Sequence, residues 1–346
     1  MAKEFSEVFN KEDQFKKDTH IKSVLLKDAS SLSAPVITVA IPTYCRANTL
    51  RETLDSVLSQ KDADDIEIMV VDNNPVRHDE TELLMAQYDD SRIRYFKNEE
   101  NLGMTGNWNR LYVLARGQWV CMLHDDDCLL PGYVANVKML LEKLRGKADA
   151  LFFTSVYDRN NFQNRHTFTV RKANLWDVLP GNSFGIAGNV LRKNTVIRLG
   201  GFNDAYYPGA DCHFWFKLVF YARPYFVGRQ PLVFYRIGEN ASCKTESLLG
   251  FIEKGDIYRL AVIERMGVSQ KYLWKNYLYI FDLRALKRMS QAFNNDSTEI
   301  KRKIEDLSKN RSWEKILSYD IIRSCLQVTR FLNSIFKQKI IRCVSE

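Results

Sequence analysis

Trp119-Val120-Cys121-Met122-Leu123-His124-Asp125-Asp126-Asp127 is an apolar run that ends in three consecutive carboxylates. Adjacent like charges repel. A fold tolerates them at the C-terminal edge of a strand when something cationic arrives there. Hard oxygen ligands at such an edge suit Mg²⁺ or Mn²⁺ holding the phosphates of a substrate. The plain alternative is a solvated acidic turn ahead of Pro131-Gly132. The segments on either side weigh between the two.

Upstream, Val36-Ile37-Thr38-Val39-Ala40-Ile41 is a short apolar run broken by Pro42, the pattern of a buried strand. Thr49 and Glu52 fit a capping box. Leu50, Leu54, Val57 and Leu58 then recur at i, i+4, i+7 and i+8, which predicts an amphipathic helix. Ile66-Glu67-Ile68-Met69-Val70-Val71 reads as a second buried strand, ending in Asp72-Asn73-Asn74-Pro75. A helix through Leu83, Leu84 and Tyr88 leads to a third strand, Ile93-Arg94-Tyr95-Phe96. Trp108, Leu111, Tyr112 and Ala115 mark another helix before the strand over 119–123. Strand and helix alternate through short loops, which predicts an α/β fold with a mostly parallel sheet and helices on both faces. Ligands of such sheets bind beyond the carboxyl ends of the strands. Each candidate strand here ends in polar chemistry: Pro42-Thr43-Tyr44, Asp72-Asn73-Asn74, and His124 to Asp127.

The 346 residues, 45% of them hydrophobic, suffice for one large domain with an appendage or for two domains. The net charge of +8 favours anionic partners: nucleotides, nucleic acid or anionic lipid. No nucleic-acid motif is present, so nucleic acid is not expected as a partner. Seven cysteines without a CxxC pair read as a reduced, cytoplasmic protein, neither a disulfide framework nor a zinc site. No run approaches the about 18 apolar residues of a membrane span, and the N-terminus lacks the apolar core of a secretory signal.

The expected division is an arm or linker over 1–34, an α/β unit over 35–240 and a helical region over 241–346. Regular alternation fades beyond residue 155, and 248–346 reads as nearly all helix. There Ile321, Cys325, Val328, Phe331, Leu332, Ile335 and Phe336 share one helical stripe, flanked by Arg323, Arg330, Lys337, Lys339 and Arg342. Such a helix fits an anionic membrane surface, on the inner face of the cell membrane. Packing on residues 250–290, or on a second copy of the chain as a homo-oligomer, fits the same stripe.

Six motifs follow one another over residues 35–240: Val39-Ala40-Ile41-Pro42-Thr43-Tyr44, Val70-Val71-Asp72-Asn73, Asn101-Leu102-Gly103, Leu123-His124-Asp125-Asp126-Asp127, Leu199-Gly200-Gly201-Phe202 and Ala210-Asp211. In this order and spacing they resemble family 2 glycosyltransferases with the GT-A fold, of the bacterial surface-polysaccharide type. The resemblance implies an inverting, metal-dependent transfer. The sugar would come from a nucleotide-diphosphate donor, most often a UDP-sugar. It would go to a hydroxyl of a glycan or lipid-linked acceptor, with Mn²⁺ or Mg²⁺ as cofactor.

Residue by residue, the resemblance places Pro42, Thr43, Tyr44 and Arg46 in the donor site, with Tyr44 offering an aromatic face to the base. Asp72 would accept a hydrogen bond from a ring N–H, which uracil and thymine carry at N3. Asn73 stands where the family often has a second acid. Asn101, Gly103, Asn107 and Arg110 belong to a segment that closes over the nucleotide, with Gly103 and Gly106 letting backbone approach the ligand. Arg110 would pair with the diphosphate or with Asp125; its alternative is an ordinary helix-surface arginine. Relatives often read Asp-x-Asp-Asp at the acid cluster, and His124 holds the first place here. Asp126 falls at the usual direct metal ligand. Asp125 and Asp127 would assist through water, ribose hydroxyls or the sugar, and Asp127 is counted with Asp126 as a metal residue.

Asp211 is the candidate base, because inversion needs a group that removes the acceptor proton during attack. Ala210 replaces the family's usual Glu. His213 is the nearby alternative base, and an N-cap for a helix through Phe214, Trp215, Leu218 and Val219 is the structural alternative for Asp211. Tyr235-Arg236 resembles the family's arginine after the last core strand, but Ile237-Gly238-Glu239-Asn240 lacks the histidine relatives often place nearby. A sugar-phosphate nucleotidyltransferase would want a Gly-rich phosphate loop with a Lys after the first strand, and Pro42-Thr43-Tyr44-Cys45-Arg46 is not one. An inactive nucleotide-sugar-binding relative is the other alternative, since Asn73, His124 and Ala210 depart from the usual acids.

Overall fold

The computed structural model describes residues 3–29, 32, 34–158, 162, 163, 165–181, 184–238, 243–336 and 338–344, with backbone alone over 330–336. Glu239, Asn240 and Lys337 lie outside the described residues, as do the side chains of Arg330, Phe331, Leu332, Ile335 and Phe336.

Strands β1 (Ser23–Asp28), β2 (Ile37–Thr43), β3 (Glu67–Asp72), β4 (Ile93–Asn98) and β5 (Trp119–Met122) open the chain's large sheet. The short β6 (Cys128–Leu129) leaves it. β7 (Ala150–Phe153) rejoins it, and β8 (Ser155–Val156) leaves again. β9 (Thr167–Lys172), β10 (Asn189–Arg192), β11 (Pro224–Gly228) and the terminal β13 (Lys339–Arg342) complete the sheet, while β12 (Val233–Phe234) joins β6 and β8 in a small second one. The large sheet runs β1-β4-β3-β2-β5-β10-β7-β11-β9-β13. The helices are α1 (Phe5–Val8), α2 (Ala47–Leu58), α3 (Glu80–Ala86), α4 (Gly103–Leu114), α5 (Tyr133–Lys143), α6 (Leu175–Val178), α7 (Lys193–Arg198) and α8 (Ala210–Tyr221). The C-terminal region adds α9 (Thr245–Ile263), α10 (Val268–Ala292), α11 (Thr298–Lys309) and α12 (Trp313–Phe336).

The heart of the sheet is parallel: β4, β3, β2 and β5 lie side by side. Every residue of these four strands is buried. Side chains alternate between faces with period two. Val39, Ile41, Ile68 and Val70 therefore pack with Leu50, Leu54 and Val57 of α2, and with Val134 and Val137 of α5. Ala40, Met69 and Val71 point the other way, to Trp108, Leu111 and Tyr112 of α4 and to Phe214 and Trp215 of α8. Two apolar layers on one parallel sheet leave its carboxyl edge free for polar residues.

Helix α2 begins earlier than its expected cap. Cys45 adopts φ of +55° and turns the chain directly from β2 into the helix, so Arg46 takes the N-cap without a side-chain cap. Thr49 therefore sits in the first turn, where its hydroxyl donates to Arg46 O.

The described residues of the N-terminal segment pack on this frame. Val8 and Phe9 join the core, and β1 pairs antiparallel with β4, Ser23 beside Asn98. The C-terminal helices end in a strand, since β13 pairs antiparallel with β9. Both additions cover sheet edges, which periodicity within each segment does not announce.

A buried ionic network ties the parallel strands at their other end. Glu67 is fully buried and accepts from Thr38 Oγ1 at 2.5 Å, from Arg94 Nη1 at 2.7 Å and from Arg116 N at 2.9 Å. Removing one partner of a buried pair leaves an uncompensated charge. Glu67→Ala therefore lowers unfolding stability by about 3–5 kcal/mol, read as a lower denaturant midpoint. An unchanged midpoint would show that Arg94 finds full compensation elsewhere.

Candidate active site

One cavity of about 480 Å³ opens at the carboxyl edge of the parallel strands. Pro42, Thr43, Tyr44 and Arg46 line it after β2, and Tyr44 keeps an exposed ring at its mouth. Asn73, Asn101, Gly103, Asn107 and Trp108 form a second wall. His124, Asp125 and Asp126 come from the end of β5, and Tyr207, Pro208 and Asp211 from the start of α8.

The second wall is held by amides. Asn73 donates to Asn101 Oδ1 at 2.7 Å and to Gly103 O at 3.2 Å, and its own oxygen accepts from Leu102 N at 2.9 Å and Asn98 Nδ2 at 3.0 Å. A carboxylate at position 73 could accept but not donate. The Asn that replaces the family's acid thus fixes the Asn101–Gly103 turn, where Gly103 has φ of +69°. Further on, Gly200 and Gly201 both adopt positive φ, and Asn109 of α4 clamps Phe202 through two backbone bonds of 2.8 Å. A Cβ on Gly201 would stand 2.5 Å from Asn109 Oδ1, so this approach requires glycine.

Two residues expected at the donor site lie elsewhere. Asp72 is buried beneath the wall and does not line the cavity. Its oxygens are taken by Lys97 Nζ at 2.7 Å, Tyr95 OH at 2.9 Å and Asn74 N at 2.9 Å. Burial pushes its carboxyl up, against the pull of Lys97. The expectation that Asp72 reads the base is corrected: Lys97 and Tyr95, two residues apart on β4, point to one face and engage it first. Arg110 is also corrected. It donates to Asp18 O at 2.8 Å, Ile21 O at 2.9 Å and Ser23 Oγ at 3.0 Å, and so anchors the N-terminal segment. Seven residues of helix carry it about 10 Å along the axis from Gly103, beyond the cavity. Gly106 likewise makes room for Asp18 and not for a ligand. Asp127 sits behind the lining, where its Oδ1 accepts from Arg236 N at 2.9 Å.

The acid cluster is strongly coupled. Arg46 Nη1 reaches Asp126 Oδ2 at 2.8 Å and Asp125 Oδ1 at 3.3 Å, and Thr43 Oγ1 donates to Asp125 Oδ2 at 2.8 Å. Arg46 thus makes the pairing with Asp125 that was one of the alternatives for Arg110. Burial, opposed by Arg46, pushes Asp125 up to about 6. Burial and the adjacent Asp126 charge push Asp127 up to about 8. His124 stacks on Trp108 with ring centroids 5.6 Å apart, and burial lowers its pKa, leaving a neutral imidazole.

The cluster fits a divalent cation on its own chemistry. His124, Asp126 and Asp127 each offer a ligand atom, all within 4.8 Å of one another. Among the described residues, His124 Nε2 and Asp127 Oδ2 are buried without a hydrogen-bond partner. Orphaned polar atoms beside a proton-retaining acid are what a cation would satisfy. His124, which holds the first place of the acid cluster, belongs to this donor set.

Asp211 occupies the first turn of α8 and accepts from Cys212 N at 2.7 Å. Gly209 holds the N-cap without a side-chain cap, so Asp211 does not cap the helix. Burial pushes its carboxyl up to about 6, with the Cys212 hydrogen bond opposing. His213 points away: it is buried, its Nε2 lies 2.7 Å from Val8 O, and its ring stacks 3.8 Å from Tyr206. Burial pushes it down to about 3, which makes it a neutral core residue. Lys244, Ser247 and Phe251 of the α9 region also line the cavity, and no sequence signal pointed to them.

Residues 38–203 match the family model for Glycosyl transferase family 2. The chain carries a family 2 glycosyltransferase domain. The match runs from β2 through the acid cluster to the Gly200-Gly201 turn. This glycosyltransferase is 22% identical to an uncharacterized glycosyltransferase of Methanocaldococcus jannaschii over 258 residues, which is 72% of this chain and 87% of that protein. Over 104 residues it is 36% identical to the GalNAc(5)-diNAcBac-PP-undecaprenol beta-1,3-glucosyltransferase of Campylobacter jejuni, covering 30% of this chain and 33% of that protein. Among solved structures, S. aureus TarS 1-349 in complex with UDP-GlcNAc gives a TM-score of 0.56 at 15% identity, over 85% of this chain and 91% of that one. The Pyrobaculum calidifontis mannosyltransferase PcManGT in complex with GDP-Man and Mn²⁺ gives 0.50 at 16% identity, over 93% of each chain. At such identities the likeness carries the fold, which is of the GT-A class.

Proposed function

We propose that this glycosyltransferase moves a sugar, with inversion, from a nucleotide-diphosphate donor to a hydroxyl of a glycan or lipid-linked acceptor in surface-polysaccharide synthesis. The observation that carries the reading is one cavity lined both by Asp211 and by His124, Asp125 and Asp126. Asp211 takes the proton of the acceptor hydroxyl. The acceptor oxygen bonds to the anomeric carbon as the bond to the diphosphate oxygen breaks, and the nucleoside diphosphate leaves. Tyr44 offers its face to the base, and the Asn73–Asn101–Gly103 turn closes the nucleotide side. Asp126, with Asp127 and His124, would hold Mn²⁺ or Mg²⁺, which supplies charge neutralisation for the departing diphosphate. The Mn²⁺ in the mannosyltransferase complex supports the cation, and a nitrogen donor in the set favours Mn²⁺. UDP is the first choice of nucleotide, supported by the UDP-GlcNAc complex of TarS. The undecaprenol-linked acceptor in the name of the Campylobacter relative supports a lipid-linked one here.

A thermal-shift panel of UDP-, GDP-, dTDP- and CMP-sugars tests the donor. At a ligand concentration of 100 times Kd, binding adds about 2.7 kcal/mol of stability. The expected result is the largest shift with a UDP-sugar and Mn²⁺ together. No shift with any member of the panel would overturn the reading.

We further propose that the C-terminal region, residues 241–346, brings the catalytic unit, residues 35–240, to an anionic lipid surface at the inner face of the cell membrane. No helix of the described residues is long and apolar enough to cross a membrane. Helix α12 buries Tyr319 and Ile322 but leaves Trp313, Leu317, Ile321 and Val328 exposed as one row, with Arg311, Lys315 and Arg323 close in sequence. An apolar row with basic flanks matches anionic lipid. Vesicles containing phosphatidylglycerol should float the full chain and lose it on Trp313→Ser with Leu317→Ser. Equal flotation would exclude the row, and a change in sedimentation would assign it to a second copy of the chain.

A further inference from the structure

Helix α9 brings its first turn to the cavity on the side of Asp211. A Cβ on Gly250 would meet Pro208 Cδ at 2.6 Å, and the Cβ position of Gly209 lies 3.9 Å from Phe251 Cδ1. Ser247 stands four residues before Phe251, on the same helix face, and both line the cavity. The Ser247 side chain is fully buried, and its Oγ has no hydrogen-bond partner among the described residues. Buried hydroxyls are ordinarily paired, and an unpaired one costs stability.

The rest of this turn is a set of donors. Lys244 occupies the N-cap, lines the cavity, and leaves the helix without a side-chain cap. Thr245, the neighbouring hydroxyl, is turned to Asn295 Oδ1 at 3.2 Å and Ser297 Oγ at 3.1 Å. Glu246, the acid of the turn, is exposed and does not line the cavity. A helix start concentrates free N–H groups and the positive end of the peptide dipoles. An ammonium, an unused buried hydroxyl and a helix start meeting in one cavity match a phosphate.

We propose that the first turn of α9 is a phosphate subsite of this cavity, with Lys244 pairing with the anion and the Ser247 hydroxyl donating to it. The inference rests on the nucleotide-sugar reading and extends it. The phosphate is either the donor's β-phosphate or one carried by the acceptor beside Asp211.

Calorimetric titration of the full chain with UDP, UMP and glycerol 1-phosphate, in Mg²⁺, separates the two, with GDP and dTDP run in parallel. Lys244→Met and Ser247→Ala are the variants. Loss of about 10- to 100-fold in UDP affinity with UMP unchanged assigns the donor's β-phosphate. Unchanged UDP with lost glycerol 1-phosphate binding to the UDP-loaded protein assigns the acceptor. Unchanged binding of all three overturns the subsite. The ligand-free Ser247→Ala protein should melt at or above the wild-type temperature, because it loses an unpaired buried hydroxyl. A lower melting temperature would make Ser247 a packing residue and remove it from the subsite. A wild-type chain that binds no nucleotide sinks the donor reading instead. The glycerol 1-phosphate arm then still decides whether Lys244 and Ser247 hold an anion.

Discussion

Asp211→Asn should lower kcat by about 10²–10⁴-fold, the usual worth of a positioned general base, while donor binding stays near wild type. The amide keeps the size of the side chain but cannot take the acceptor proton. Burial pushes Asp211 up to about 6, so it is ionised at neutral pH and still basic enough to accept a proton. The free enzyme's kcat/KM should therefore rise with pH through about 6, and the Asn variant should lose that limb. The stability consequence has the opposite sign. A carboxyl whose folded pKa stands above its ordinary 3.8 contributes stability below that value and loses it as pH rises through about 6. The variant should then be at least as stable as wild type at pH 8, with the gap closing below pH 4. Transfer at the normal rate would exclude Asp211. His213 is no replacement, because it is neutral, buried and bonded to Val8 O.

The parallel heart of the fold was legible because its strands are buried on both faces and its helices carry apolar stripes. The residues at the strand ends were legible for the same reason: parallel strands bring Thr43, Asn73 and Asp125 to one edge. Depth below that edge was not. Asp72 and Asn73 are adjacent, yet only Asn73 reaches the cavity, and the difference lies in Lys97 and Tyr95 on another strand. Arg110 shows the same limit on a helix. Spacing gives its face, but what covers that face is the N-terminal segment from about 90 residues away, a contact no local pattern encodes. Helix α9 buries residues around much of its circumference, Leu248 and Ile252 as well as Tyr258, Arg259 and Val262. A helix buried that broadly has no single apolar stripe, so its cavity-facing turn left no periodic trace.

Asp126→Ala should abolish most transfer, on the order of 10³-fold or more, since cation-assisted charge stabilisation is worth several kcal/mol. Among the three carboxylates, Asp126 alone both lines the cavity and belongs to the cluster with His124 and Asp127. Its loss removes one ligand and also the neighbouring charge that raises Asp127. Asp127 should then ionise at lower pH, yet it sits behind the lining and cannot stand in at the cavity surface. The fold should survive, because Arg46 is a third exposed and keeps Asp125 as a partner. Two measurements keep the site separate from activity. The electron spin resonance signal of free Mn²⁺ should be quenched by the wild-type chain with UDP and much less by the variant. The Mn²⁺-dependent part of the UDP thermal shift should vanish, while the metal-free part remains. Full transfer by wild type in EDTA, or unchanged Mn²⁺ quenching in the variant, would remove the cation from this cluster. Arg46 would then be left as the charge that meets the diphosphate.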